Sequence, residues 1–206
     1  MKISTILSLI FILALGSNKG IAQPSAFACP SNIIIKADNK KEGATVIFPE
    51  TITNADGGTI SYFPASGSFF RLGSHTVTMT SSNGQKCSFT VTVTDNESPV
   101  LSEIILSEKK LWPASNKMKK ISVNYTASDN GQNVTTALSV SSNAIDGVKD
   151  WEIVDNHLLK LKASRLPDGT PRVYIITVTA TDDAGNTTTR TTSIAVSKTM
   201  MAVAGK

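Results

Sequence analysis

The stretch CSFTVTVT, Cys87 to Thr94, alternates without a fault: Cys87, Phe89, Val91 and Val93 fall on one side, Ser88, Thr90, Thr92 and Thr94 on the other. Successive side chains of an extended strand point to opposite faces, so the pattern predicts a strand with one buried and one wet face. Such a strand belongs in an antiparallel sheet packed on a single side. No long stretch of the chain carries apolar residues at helical spacing. Thr, Ser, Val and Ile instead dominate short runs between Gly, Asn, Asp and Pro turns, which reads as strands throughout. Expected strands in the first half are 33–37, 44–48, 59–63, 74–80 and 86–94. In the second half they are 121–127, 134–141, 151–154 and 158–162, followed by a pair of longer strands in RVYIITVTATDDAGNTTTRTTSIAVS. Trp151 and Tyr125 are expected in the core.

The two halves repeat a layout. HTVTMTSSNGQKCSFTVTVT and YIITVTATDDAGNTTTRTTSIAVS each run strand, Asn/Gly turn, strand. The predicted fold class is therefore all-β: two tandem immunoglobulin-like antiparallel β-sandwich domains after a signal peptide. The break falls in DNESP, where Pro99 lacks the N–H a sheet ladder needs. The chain opens with Lys2 and an apolar run from Ile6 to Leu15, then reaches Gly20, Ile21 and Ala22, the small-residue pattern of a secretory cleavage site. Residues 1–22 are expected to be that signal, since the apolar run is too short for a membrane anchor. A lipoprotein-type cut before Cys29 is disfavoured by bulky Phe27 and by its distance from the apolar run. No other segment approaches spanning length, so no integral membrane segment is expected in the mature chain. Residues 199–206 read as a flexible tail.

Export makes a disulfide the default for the only two cysteines, Cys29 and Cys87. Closing that loop stabilises a small domain by ~4 kcal/mol at most. Removing Lys2 and Lys19 with the signal takes the formal charge from +4 to +2, so no nucleic-acid partner is expected. The local run of Lys109, Lys110, Lys117, Lys119 and Lys120 is read as a solvated strand edge in preference to an anionic-partner patch.

CPSNI at Cys29 to Ile33, PASGSFFRLGSHTVTMTSSNGQKCSFTVTVTD at Pro64 to Asp95, and the closing Asp95, Glu97 and Pro99 together resemble the hyalin repeat, or HYR, domain over residues 29–99. That resemblance implies an extracellular, immunoglobulin-like, adhesion-associated module and again the Cys29–Cys87 bridge. Arg71 stands where the family commonly has proline, and Ser81 and Ser82 replace a usual acidic pair. Residues 100–198 resemble a bacterial immunoglobulin-like module. LWPASNKM at Leu111 to Met118 is similar to its Leu-Trp-Pro-Pro-Asn-His-Lys-Met signature, and SDNG and TATDDAGN match further on.

Catalysis needs a nucleophile beside a base, or paired acids in a cleft. Here the only histidines are His75, in a predicted strand, and His157, after a turn, while both cysteines are committed. No enzyme and no zinc site are expected. Calcium is the one candidate cofactor, because it takes oxygen ligands and the chain gathers them in turns. Asp95, Glu97, Asp129 and Asp182 are the candidate set, able to share one ion if the linker meets the ends of the second sandwich's strands. Turn preference alone explains every one of these acidic clusters, those of Asp155 and Asp183 included, and is the reading favoured over a bound ion. The expected role is a secreted or cell-surface adhesion module whose partner is an extracellular protein or glycan. The alternative is a passive spacer or assembly subunit.

Overall fold

Pairing in the first half is organised around the strand that alternates most cleanly. The computed structural model describes residues 27–48, 58–131, 133–145 and 149–198; the expected signal at 1–22 and tail at 199–206 lie outside these. The first half contributes β1 (Ile33–Lys36), β2 (Gly43–Val46), β3 (Ile60–Phe63), β4 (Ser68–Arg71), β5 (Gly73–Ser81) and β6 (Lys86–Thr94). β6 lies inside a four-stranded sheet ordered β1-β6-β5-β3, and β2 pairs with β4 in a second sheet. All pairs in this half are antiparallel except β1 with β6, which run parallel with Ile33 opposite Val91. No hairpin dictates the direction in which strands so distant in sequence must pair.

The inward side chains of both sheets meet in one core. Phe48 is 1% exposed and packs against Tyr62, Phe89 and Phe70 at ring separations of 5.0, 5.4 and 6.1 Å. Val77, Val91 and Val93 fill the space between. Each such side chain stabilises the fold by roughly 1.5–3 kcal/mol relative to exposure. The Cys29–Cys87 disulfide ties the segment before β1 to the start of β6 across 58 positions, with Cα atoms 5.9 Å apart.

The second half contributes β7 (Val100–Leu101), β8 (Ile105–Leu106), β9 (Met118–Asn124), β10 (Ala127–Ser128), β11 (Val134–Ser142), β12 (Trp151–Asp155), β13 (Leu158–Lys162), β14 (Val173–Asp182) and β15 (Thr187–Ala195). A three-stranded sheet, β11-β14-β15, accompanies a four-stranded one, β12-β13-β9-β8, and β10 pairs with β7. Their inward residues, among them Ile121, Leu159, Leu161, Tyr174 and Ile176, form a second core separate from the first. The chain is thus two β-sandwiches in tandem, and no helix occurs among the described residues. The repeated layout is real: β5–β6 and β14–β15 are the two long hairpins.

Local departures have local causes. The run expected at 121–127 begins earlier, at Met118, and breaks after Asn124, where the chain changes partner and Ala127 and Ser128 pair with β7; the Tyr125 hydroxyl donates to the Asn156 carbonyl at 2.9 Å. Tyr125 and Trp151 are half-buried and line the rim of the core instead of filling it. β8 meets only Val123 and Asn124 of β9; further along the strand Lys120 is exposed, whereas Lys119 is half-buried and donates to the Trp112 carbonyl.

One end of the second core holds an ion pair. Arg172 and Asp150 are 3% and 6% exposed, with Nη1 2.5 Å from Oδ2. Lys162 Nζ approaches the other carboxylate oxygen at 3.3 Å. Beside them Tyr174 donates to the Lys162 and Asp150 carbonyls at 2.9 and 3.2 Å, and burial, above all, pushes its phenol up to about 12.

Candidate functional site at the junction

β6 ends at Thr94 and β7 begins at Val100, so residues 95–99 join the sandwiches. Asp95 to Ser98 are polar and at least partly exposed while Pro99 is buried, and the side chains of Asp95 and Glu97 bond to loops on either side. Glu97 N–H donates to Asp95 Oδ1 at 3.0 Å, an Asx turn. The Glu97 carboxylate accepts the backbone N–H of Lys40 at 2.9 and 3.1 Å, capping the β1–β2 turn, where Lys40 has a φ of 58°. From the other side comes the loop after β10. Gly131 there has a φ of 130°, and a Cβ added to it would lie 2.7 Å from the Cβ of Glu42. Glu42 itself pairs with Arg71 at 2.7 Å.

Three of the four expected calcium ligands converge here. Asp95 arrives from the linker, Asp129 from the β10–β11 loop and Asp182 from the last position of β14. One carboxylate oxygen from each lies within 4.8 Å of the other two. β14 is held in register by β11 and β15, which places Asp182 opposite Val134 at the end of the sheet facing the linker. Asp182 is 6% exposed and accepts from the Asn186 backbone at 2.8 Å and its side-chain amide at 2.9 Å. Glu97 stands apart from the three, occupied by Lys40.

Like charges this close disfavour full ionisation. The carboxyl of Asp129 is held above its ordinary value, first by burial, then by the charges of Asp95 and Asp182, against the Asn130 backbone N–H, which lowers it. The Asn130 amide joins the cluster. In one orientation its nitrogen reaches Asp95 Oδ1 and Glu97 Oε2, both at 3.4 Å. Turned over, that nitrogen donates to Asp129 Oδ2 at 2.8 Å and Asp95 Oδ2 at 3.3 Å. Asn130, Lys40 and Glu42 carry no sequence signal for this role beyond Asn130 following Asp129.

The other acidic turns do not join. Asp155 Oδ1 accepts from His157 N–H at 2.7 Å, and Asp183 Oδ2 from the Asn133 amide at 3.1 Å. Each histidine ring bonds a backbone carbonyl. His75 Nε2 bonds the Arg71 carbonyl at 2.7 Å. His157 stacks on Tyr125 at 4.6 Å, with Nδ1 3.0 Å from the Val123 carbonyl.

Residues 22–93 match the family model of the HYR domain, close to the span on which the resemblance rests. A search of curated protein sequences returned no match. Among solved structures, Drosophila N-cadherin EC1-3 aligns at 18% identity and a TM-score of 0.33, over 84% of this chain and 66% of that one. The Clostridium thermocellum CbhA fibronectin(III)-like modules align at 16% identity and 0.31, over 84% and 91%. Immunoglobulin domains 1–4 of Sidekick-1 give 12% and 0.45, over 84% and 48%. The chain thus spans about two thirds of the N-cadherin fragment and half of the Sidekick-1 one. Likenesses this loose decide nothing about function. No helix among the described residues is long and apolar enough to cross a membrane.

Proposed function

We propose that this chain is a noncatalytic adhesion-type module, secreted or displayed on the cell surface, whose two domains, 29–99 and 100–198, are fixed in one orientation by calcium at their junction. Asp95, Asp129 and Asp182 bind the ion, and water completes the shell. Glu97 acts beside the ion by keeping the linker on Lys40. The observation that carries this reading is the convergence of three carboxylates from three separate segments, with the Asp129 carboxyl raised by burial and then by the charges of Asp95 and Asp182. The HYR match supports the extracellular, adhesion-type class.

Calcium suits the donor set because it accepts six to eight oxygens in loose geometry, and extracellular modules hold it at about 10⁻⁴–10⁻³ M. With a dissociation constant of ~0.5 mM, 5 mM calcium stabilises the occupied state by ~1.4 kcal/mol. A calcium titration followed by thermal unfolding tests this. A rise of several degrees, absent with magnesium or in Asp129→Asn, is expected; an unchanged melting temperature at millimolar calcium disposes of the ion. The passive-spacer reading draws on a different observation, the direct bonds from the Lys40 N–H to Glu97, which tie the linker to the first sandwich without any ion. Uniform silence on cell-surface and glycan arrays would favour it.

A further inference from the structure

The outward face of the β1-β6-β5-β3 sheet carries ranks of hydroxyls, as the β11-β14-β15 face does at Thr177–Thr191 and Thr179–Thr189, and adds an exposed aromatic, Phe63. Registry places hydroxyls opposite one another in successive ranks: Ser74 with Thr92, Thr76 with Thr90, and Thr78 with Ser88. Two of these ranks are closed by side-chain hydrogen bonds, Ser74 to Thr92 at 3.1 Å and Thr78 to Ser88 at 3.2 Å. Directly opposite residues share a face, so Phe63, paired with Thr78, extends the third rank. Ile34, paired with Thr92, extends the first. These two flanking side chains are 81% and 76% exposed. Across the hydroxyl ranks there is no charged side chain; Lys36 and Lys86 stand only at the ends of their strands.

Burial does not explain Phe63. The neighbouring Tyr62 turns inward onto Phe48, while Phe63 presents its ring to solvent beside the Thr78–Ser88 pair. An exposed aromatic next to rows of neutral donors and acceptors is matched to a ligand with apolar C–H faces and many hydroxyls. A charged polymer would find nothing to pair with between the terminal lysines. Three strand spacings of about 4.8 Å make the face roughly 14 Å wide, enough for a sugar chain to lie across it.

We infer that this face binds a neutral polysaccharide, with Phe63 stacking on a sugar ring and the Thr76–Thr90 and Thr78–Ser88 ranks exchanging hydrogen bonds with its hydroxyls. This rests on the adhesion reading above and names its partner class. The test is affinity electrophoresis of the full chain through neutral glucans, mannans and galactans, with alginate and heparin as anionic controls. Retardation by at least one neutral polymer is expected, persisting at 0.5 M salt and weakened tenfold or more by Phe63→Ala and by Thr90→Glu. Thr179→Glu, on the outward face of the second sandwich, should leave it unchanged. Each variant is checked for an unaltered melting temperature, and Phe63→Leu serves if Phe63→Ala fails to fold. No retention on any neutral polymer, retention only on anionic polymers and lost in salt, or retention indifferent to Phe63→Ala and Thr90→Glu overturns the proposal. Adhesion of the unmodified chain to whole cells, measured alongside, separates the two levels. Cell binding untouched by the face variants sinks this face alone, whereas no cell binding sinks the adhesion reading too.

Discussion

Replacing Arg172 by Met should be among the most damaging single changes in the second sandwich, and the structure gives its size. Arg172 and Asp150 are 3% and 6% exposed, so the pair is desolvated, and Met keeps most of the arginine stem's packing while removing the charge. Removing one partner of a buried pair leaves the other uncompensated, at a cost of about 3–5 kcal/mol. Lys162 Nζ, 3.3 Å from Asp150 and on a side chain one-third exposed, remains to offset part of this, which points to the lower end, ~3 kcal/mol. For a domain of about 100 residues that lowers the melting temperature by roughly 12–24 °C. Both tryptophans of the chain, Trp112 and Trp151, lie in the second sandwich, so tryptophan fluorescence in denaturant reports its unfolding alone. The double variant Arg172→Met with Asp150→Leu should regain most of the loss, because an apolar replacement of the whole pair is commonly neutral or better. A loss under ~1 kcal/mol for Arg172→Met, or a double variant no better than the single one, would refute the reasoning.

Three further outcomes follow from particular contacts. Cys29→Ala with Cys87→Ala should cost the first sandwich up to ~4 kcal/mol while leaving the tryptophan-reported transition in place, since the two cores are separate; differential scanning calorimetry would resolve both. The raised Asp129 carboxyl gives a definite sign. With calcium chelated, its contribution to stability is fully present below the ordinary carboxylate pKa and is lost as pH rises through the folded value. Asp129→Asn should therefore flatten the acid-side stability profile in EDTA and make the neutral-pH protein more stable there. Gly131→Ala combines a φ of 130° with a Cβ 2.7 Å from that of Glu42; a strain of about 1–3 kcal/mol should push the β10–β11 loop off the first sandwich, read as faster amide exchange at Lys40.

Much of the architecture was legible because burial on one face imposes a period of two, and β5, β6, β14 and β15 are long enough to display it. β4 was not. Its four residues, Ser68–Arg71, set Phe69 and Phe70 side by side, so the alternation hardly starts before Gly73 opens β5. The parallel β1–β6 pairing was equally hidden, being set by tertiary packing with no connecting turn to announce it. At the junction, the residue types were visible as acidic turns, but turn chemistry alone explains such residues equally well. Their convergence depends on the register of β14 and on the loop carrying Gly131. Glu97 looked interchangeable with its neighbours in sequence, and only the position of the Lys40 N–H diverts it. The Asp150–Arg172 pair had no signal at all, since a long-range ion pair leaves no periodic trace.

The junction is best tested by attaching spin labels to Ser61→Cys and Ser139→Cys, one in each sandwich, and measuring their distance distribution by pulsed electron resonance with calcium and with EDTA. The account expects one narrow distance at millimolar calcium that broadens on chelation, and a distribution in Asp129→Asn that calcium does not alter. The same distribution with and without calcium in the unmodified junction would contradict it.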